Sequence, residues 1–212
     1  MKKNLLIITI LLALFMPTKA QWVTIPDANF ATKLTQLFPS CMNGNLMDTT
    51  CSQIINATTV NLYNLNIYDL TGIVYFDNLI NLSCTFTQLS NLPELPGKLK
   101  TLDCSDNNLL NINSLPDSLE IFWCMNNQLT SLPSLPNNLY QLRCNNNQLD
   151  ILPILPNSLN LLGCFFNQLI SLPNLPDSLQ YLDLYSNQIT NLPQLPSTLL
   201  RLSCENNQLT SI

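Results

Sequence analysis

A single repeat of 20 residues dominates the sequence. From Leu92 onward the pattern L-P-x-L-P-x-x-L-x-x-L-x-C-x-x-N-x-L returns at a fixed spacing, and one copy has Asn113 in place of its first proline. A unit this short cannot bury its apolar face alone and does so only by stacking on its neighbours. The chain is therefore expected to fold as a stack of coils rather than around one central core.

Cysteine occupies one fixed position of the repeat. The cysteines at this position are Cys84, Cys104, Cys124, Cys144, Cys164 and Cys204. Where the spacing predicts another cysteine, the chain has Leu184, which neither binds metal nor forms a disulfide. Stacked strands lie about 4.8 Å apart, too far for a relaxed disulfide, and zinc sites use close cysteine pairs. We therefore predict a ladder of buried free thiols, with no metal.

Cys41 and Cys51 lie outside the repeat, in the segment CMNGNLMDTTC. The Asn43-Gly44 pair offers a turn between them, and an exported protein meets an oxidising environment. These features predict a Cys41–Cys51 disulfide. The oxygen-bearing residues of the segment do not match a calcium-binding loop.

Residues 1–20 have the pattern of a secretory signal peptide. Lys2 and Lys3 precede an apolar run from Leu5 to Phe15, and small Ala20 marks the expected cleavage point. The run is too short to span a bilayer, which takes roughly 20 residues, although an uncleaved anchor is the competing interpretation. We expect export through the secretory pathway and no transmembrane segment in the mature chain.

Charge and composition exclude several classes of function. Without Lys2, Lys3 and Lys19 of the leader, five scattered basic residues remain against 13 acidic ones, a formal net charge of −8. Binding to nucleic acid or to an anionic membrane needs clustered cations, so neither partner is expected. The chain has no histidine, which excludes Ser-His and Cys-His nucleophiles and the commonest metal ligand. No cofactor is predicted.

The segment LYQLRCNNNQL, from Leu139 to Leu149, resembles a leucine-rich repeat. The 20-residue length and the LPxLP phase resemble the short bacterial class, which also occurs in type III secreted effectors. The segments IPDANF and DLTGI, at 25–30 and 69–73, are similar to exported leucine-rich repeat proteins of Gram-negative bacteria. The resemblance implies a protein of the outer surface or the extracellular space of such a bacterium.

The expected fold is a leucine-rich repeat solenoid, or horseshoe. Each repeat forms one turn of a right-handed coil, with a parallel sheet on the concave side and an extended, polyproline-like return on the convex side. The domains are expected at 1–20 (leader), 21–59 (N-terminal cap) and 60–212 (about seven to eight repeats, with no visible C-terminal cap). Within the N-terminal cap, Pro26 is expected to open a helix that presents Phe30, Leu34 and Leu37 on one face.

Asparagine also recurs at one position of the repeat. The members of this asparagine ladder are Asn107, Asn127, Asn147, Asn167, Asn187 and Asn207. An inward amide can satisfy the backbone N–H and C=O groups that each turn leaves unpaired. We therefore predict a structural role and no metal or glycan site.

The outward strand positions predict a recognition surface. Its candidate residues are Trp123, Met125, Arg143, Phe165, Tyr181 and Tyr185. These residue types are enriched at interface cores, and Gly163 is expected to leave a shallow depression among them. Phe166 and Phe86 are expected to point partly into the core. Simple packing between neighbouring strands is the alternative interpretation.

The favoured function is a non-enzymatic, exported module that binds a protein across the concave face. The alternatives are a structural or adhesive display protein, a glycan binder that uses the aromatic surface, and an effector delivered into host cells. Catalysis is not expected. The closest outward carboxylates, Asp103 and Asp106, lie on an open sheet with no cleft to desolvate them.

Overall fold

The computed structural model describes residues 21–210, so the proposed leader lies outside the described residues. The longest helix in the described range has ten residues, and none is long and apolar enough to cross a membrane. The elements are β1 (Trp22–Thr24), α1 (Ala28–Leu37), β2 (Met42–Asn43), β3 (Leu46–Asp48), α2 (Ser52–Ile55), β4 (Thr59–Asn61), β5 (Asn81–Ser83), β6 (Thr101–Asp103), β7 (Ile121–Trp123), β8 (Gln141–Arg143), β9 (Leu161–Gly163), β10 (Tyr181–Asp183) and β11 (Arg201–Ser203), with 3₁₀ turns at Pro39–Cys41 and Ile73–Tyr75.

Strands β4 to β11 form one eight-stranded parallel sheet in chain order. From β5 onward each residue pairs with the residue 20 positions later, as Leu142 does with Leu162. The first step is two residues longer and pairs Val60 with Leu82. Each position of the repeat therefore stacks on its copy in the next coil. The predicted solenoid with a parallel sheet is confirmed.

The core of the solenoid consists of rows of identical positions. The middle residue of each three-residue strand points inward, and Leu102, Phe122 and Leu142 are fully buried. The following cysteine position forms a second row behind the strands. On the return path the chain has neither helix nor strand. A turn on this path is closed by a 3.1 Å hydrogen bond from the backbone N–H of Leu159 to the carbonyl oxygen of Pro156. The same bond is repeated in other coils.

Hydroxyl groups link the turns on the return side, a feature that the repeat pattern alone does not predict. Ser158 Oγ lies 2.8 Å from the carbonyl oxygen of Asn137 and 2.7 Å from that of Leu139, both in the preceding coil. The same link is made by Ser118, Ser178 and Thr198. Each hydroxyl supplies a donor to carbonyls that the irregular return path leaves without backbone partners.

The N-terminal part of the described chain packs on the first coils. Strands β1, β3 and β2 form an antiparallel sheet, with β3 in the centre. Helix α1 begins after Asp27, whose carboxylate accepts hydrogen bonds from the N–H groups of Asn29 and Phe30, both 2.9 Å. The other carboxylate oxygen of Asp27 accepts a 2.7 Å bond from the N–H of Tyr68, which ties the helix to the solenoid.

Two details of the N-terminal expectation are wrong. The helix does not open at Pro26, because the N-cap is Asp27, a residue type that satisfies the first free N–H groups of a helix. Phe30 and Leu34 are buried as expected, whereas Leu37 is 41% exposed. The helix ends at Leu37, and the next residue, Phe38, makes the apolar contact instead, with its ring 5.7 Å from that of Phe76.

Candidate functional site

The asparagine ladder supports the loops that follow each strand. Asn147 Nδ2 donates to the carbonyl oxygens of Cys124 (2.9 Å) and Cys144 (3.1 Å), and Asn147 Oδ1 accepts from the N–H of Leu129 at 3.0 Å. One amide therefore bridges its own coil and the preceding one. The same bridge to both coils is made by Asn107, Asn127, Asn167, Asn187 and Asn207.

The residue before each ladder asparagine, and before Thr87 at the same position of an earlier coil, has a left-handed backbone. Its φ lies between 51° and 58° at Phe86, Asp106, Asn126, Asn146, Phe166, Ser186 and Asn206. Asparagine and aspartate tolerate this conformation best among residues with a side chain, whereas a bulky aromatic side chain is rare there. Phe86 and Phe166 therefore occupy positions that disfavour them on backbone grounds.

Phe86 and Phe166 point outward, so the expectation that they point partly into the core is wrong. Their exposed fractions are 49% and 47%. The left-handed residue turns the chain so that the next side chain, the ladder residue, faces inward. Each phenyl ring rests edge-on against an outward tyrosine: Phe86 against Tyr63 at 5.6 Å, and Phe166 against Tyr185 at 5.2 Å.

The outward side chains of the sheet lie in rows that follow the strand register. We call this surface the open face. One row runs Trp123, Arg143, Gly163 and Asp183. A second row pairs Leu161 with Tyr181 and Tyr181 with Arg201.

Four of the six predicted recognition residues line one depression. They are Met125, Arg143, Phe165 and Tyr181, with Asn145, Leu161, Asp183 and Arg201 completing the wall. Leu162, Gly163 and Leu182 also line the depression, whose volume is about 320 Å³. The expected depression beside Phe165 is present.

The other two predicted residues flank the depression. Trp123 is the neighbour of Arg143 in the row, and the guanidinium carbon of Arg143 lies over the indole ring, 5.5 Å from its centre. Tyr185 packs on Phe166, which also contacts Phe165 at 5.8 Å. Trp123 Nε1 is the one buried side-chain nitrogen or oxygen within residues 21–210 that lacks a hydrogen-bond partner.

The depression exists because Gly163 lacks a side chain. Gly163 is buried between Arg143 and Asp183 in the same row. A Cβ atom added at this position would lie 3.8 Å from Arg143 Cγ, an ordinary van der Waals distance. Alanine would therefore fit and make the depression shallower without displacing the backbone.

The repeat cysteines line the core rather than the open face. Cys84, Cys104, Cys124, Cys144 and Cys164 are buried free thiols, Cys204 is partly exposed, and Leu184 is buried at the same position of the repeat. Burial raises the pKa of the Cys144 thiol to about 12. Cys41 and Cys51 form a disulfide with a Cα–Cα distance of 5.6 Å. Among residues 21–210 no three acidic, cysteine or histidine side chains form a group that could hold a metal.

The burial pattern predicts a selective thiol reactivity. Under native conditions a maleimide reagent is expected to label Cys204 first, because the other five thiols are buried and burial raises their pKa away from the reactive thiolate form. Peptide mapping after a short reaction would identify the labelled residue, with the guanidinium-unfolded protein as the control for full labelling. Rapid native labelling of Cys144 would contradict the structure.

The strained backbone at Phe166 predicts an unusual response to substitution. Replacing Phe166 by asparagine relieves strain of about 1–3 kcal/mol and loses two aromatic contacts of about 0.5–1.5 kcal/mol each. The free energy of unfolding is therefore expected to stay within about 1 kcal/mol of the parent value, as measured by guanidinium denaturation. A loss above about 3 kcal/mol would show that Phe166 is a structural residue.

Comparisons with known proteins agree on the fold. No family model matches the chain, and no curated protein matches its sequence. Similar solved structures include YopM from Yersinia enterocolitica WA-314, with a TM-score of 0.54 and 35% identity over 64% of this chain and 35% of that one. A Shigella effector LRR domain has a TM-score of 0.51 and 29% identity over 81% of this chain and 63% of that one.

A third similar structure is the functional domain of InlJ from Listeria monocytogenes, which includes a cysteine ladder. Its TM-score is 0.51, with 24% identity over 92% of this chain and 55% of that one. The chain thus spans less than two thirds of the length of each of these structures. Leucine-rich repeat folds commonly serve as protein-binding modules, because their stacked coils present an extended surface. The 20-residue strand register and these likenesses establish that the chain has the leucine-rich repeat fold.

Proposed function

We propose that the protein is an exported, non-enzymatic module that binds a partner protein on the open, concave face of its sheet. The observation that carries the proposal is the cluster around Gly163, where two arginines, a methionine and two aromatic side chains surround one depression. Aromatic residues, methionine and arginine are enriched at the cores of protein interfaces.

The backbone strain at Phe166 supports the same surface. Asparagine or aspartate fits the left-handed position best and is present in four of its other copies, Asp106, Asn126, Asn146 and Asn206. Phe166 instead holds a half-exposed aromatic ring beside Phe165 and Tyr185. A strained backbone conformation whose side chain does not pack in the core is typical of a position used for function.

The closest pair of outward carboxylates, which a hydrolase would need, accepts hydrogen bonds from neighbouring groups. Asp103 accepts a 3.1 Å hydrogen bond from the N–H of Ser105, and Asp106 accepts a 2.7 Å bond from the side chain of Asn126. Neither carboxylate lines the depression around Gly163. A binding role therefore accounts for the open face better than catalysis does.

A triple substitution tests the proposed interface. Trp123→Ala, Phe165→Ala and Tyr185→Ala together are expected to weaken binding at least 100-fold, because interface hot spots each cost about 2 kcal/mol or more when truncated. The matched control removes three exposed side chains that do not line the depression: Tyr140→Ala, Ile154→Ala and Ile170→Ala.

The partner would be captured from surface extracts with the parent protein, and its affinity for both variants measured by calorimetry. Circular dichroism would confirm that both variants fold. Unchanged affinity in the open-face variant, or an equal loss in the control, would overturn the proposed site.

A host-delivered effector is the second candidate function. It is favoured by the likeness to YopM and to the Shigella effector domain, at 35% and 29% identity. The two candidates differ at the N-terminus. Export through the secretory pathway should leave Gln21 as the first residue of the secreted protein, which N-terminal sequencing detects. A secreted chain that retains residues 1–20 would favour delivery by another route.

A further inference from the structure

We infer that the depression around Gly163 docks an acidic segment of the partner protein, with an apolar side chain in the depression and a neighbouring carboxylate bound by Arg143 and Arg201. The inference rests on the proposed function and specifies the chemistry of the partner. It is carried by two arginines without ion pairs that lie beside an apolar depression.

Both arginines of the protein line this one depression. The full sequence has 13 acidic against 8 basic residues, and its arginines are Arg143 and Arg201. Arg143 is the last residue of β8 and Arg201 the first of β11, so they approach the depression from opposite sides. Both guanidiniums of an acidic protein therefore border one depression, which gives this site charge complementarity to an acidic ligand.

Neither guanidinium forms an ion pair within residues 21–210. The one ion pair in this range joins Lys100 to Glu120. Arg143 lies over the indole of Trp123, which orients the guanidinium without using its N–H donors. The side chains of both arginines lack hydrogen-bond acceptors in the described chain, so their donors point to solvent.

Two carboxylates, Asp183 and Glu205, lie near the arginines. Asp183 lines the far side of the depression, with Gly163 between it and Arg143 in the row, and it forms no ion pair. Glu205 accepts hydrogen bonds from its own backbone N–H and, at 2.8 Å, from Ser203 Oγ, which hold the pKa of the Glu205 carboxyl below its usual value, and the charge of Arg201 adds to this shift. Glu205 therefore balances part of the charge of Arg201, whereas Arg143 faces Asp183 across the depression without forming an ion pair with it.

The shape of the depression favours a single inserted side chain. A volume of about 320 Å³ lies at the lower end of the range of about 300–1,000 Å³ found for small-molecule pockets. Leu162 and Leu182 line it together with backbone at Gly163, and the rings of Phe165 and Tyr181 form its sides. An apolar side chain fills this hollow, and the planar guanidinium of Arg143 presents paired N–H groups to a carboxylate beside it.

Selection from a displayed library of random ten-residue peptides tests the inference on the purified protein. The peptides enriched by the parent are expected to carry aspartate or glutamate next to leucine, phenylalanine, tyrosine or tryptophan. Binding of a selected peptide is expected to weaken at least tenfold in Arg143→Gln and in Gly163→Ala, and less than twofold in Lys98→Gln. Lys98 is the matched control, because its substitution removes the same charge from an exposed lysine on the return side.

Charge reversal provides the sharper measurement. Arg143→Glu should select peptides with lysine or arginine beside the apolar residue, in place of acidic ones. Enriched peptides without an acidic residue, or with unchanged preference in Arg143→Glu, would overturn the acidic segment while leaving open-face binding intact. A library that yields no enriched sequence would overturn docking of a linear segment. Selected peptides that bind the Trp123, Phe165 and Tyr185 triple variant unchanged would overturn both the inference and the proposed function.

Discussion

Replacing Asn147 by leucine is expected to lower the free energy of unfolding by about 3 kcal/mol. The Oδ1 atom of Asn147 is the acceptor for the buried N–H of Leu129, and leucine leaves that donor without a partner. An orphaned buried donor costs about 1–3 kcal/mol. The carbonyl oxygens of Cys124 and Cys144 each keep a second amide donor, from Asn127 and Asn167, so each loses only part of its hydrogen bonding.

The chain itself offers the matched substitution for this experiment. Thr87 stands at the ladder position of an earlier coil, and its hydroxyl donates to the carbonyl oxygen of Cys84 at 2.8 Å. Asn147→Thr is therefore expected to retain the bond within its own coil and to cost less than Asn147→Leu. Gln148→Ala changes an exposed neighbour and should cost below about 0.5 kcal/mol.

Guanidinium denaturation of the three variants gives the comparison directly. A cost for Asn147→Leu that equals the cost for Gln148→Ala would show that the ladder amides do not stabilise the loops. A larger cost for threonine than for leucine would show that the size and shape of the side chain matter more than its hydrogen bonds.

The repeat spacing alone predicts most of the solenoid. A constant 20-residue interval places each residue beside its own copy in the next coil, so the parallel register of Leu142 with Leu162 follows from the sequence. The same interval identifies the cysteine and asparagine rows, because Leu184 and Thr87 show which chemistry each position accepts. The first interval, 22 residues from Val60 to Leu82, was also visible as a departure from the repeat.

The direction of the loop side chains could not be predicted in the same way. The orientation of Phe166 depends on a left-handed φ of 51°, which the residue type argues against. Asparagine or aspartate at Asp106, Asn126, Asn146 and Asn206 is the indication that the sequence contains, since these residue types favour that conformation.

The depression could be predicted only in part. Gly163 and the aromatic residues indicated its place in the sequence. Its wall combines Arg143 with Arg201, two residues three coils apart whose side chains approach the same point. Such an approach depends on side-chain rotamers and on sheet twist, which the spacing of residues does not determine.

Replacing Phe122 by alanine is expected to have the largest effect on stability, a loss of about 3–5 kcal/mol. Phe122 is fully buried in β7, in register with Leu102 and Leu142 on the two neighbouring strands. The other strands from β5 to β11 have leucine at this position, so Phe122→Leu is the matched control. It should cost about 1 kcal/mol, because leucine fills most of the space that alanine leaves empty.

The loss of stability in Phe122→Ala should also be confined to the neighbouring coils. Coils of a solenoid contact only their neighbours, so stability is a sum of units and of the interfaces between them. Hydrogen exchange is therefore expected to quicken in β6, β7 and β8 and to change little in β1 to β3. A uniform increase in the exchange rate along the chain would contradict the independence of distant coils.

The core residue Phe122 also supports the residues of the open face that are proposed to bind the partner. Phe122 and Trp123 are adjacent in β7, where successive side chains point to opposite sides of the sheet. Phe122→Ala is therefore expected to weaken partner binding, because loosening β7 removes the support under Trp123 and Arg143. Phe122→Leu should keep the parent affinity. Equal affinity for the alanine variant would show that the interface does not depend on the packing behind β7.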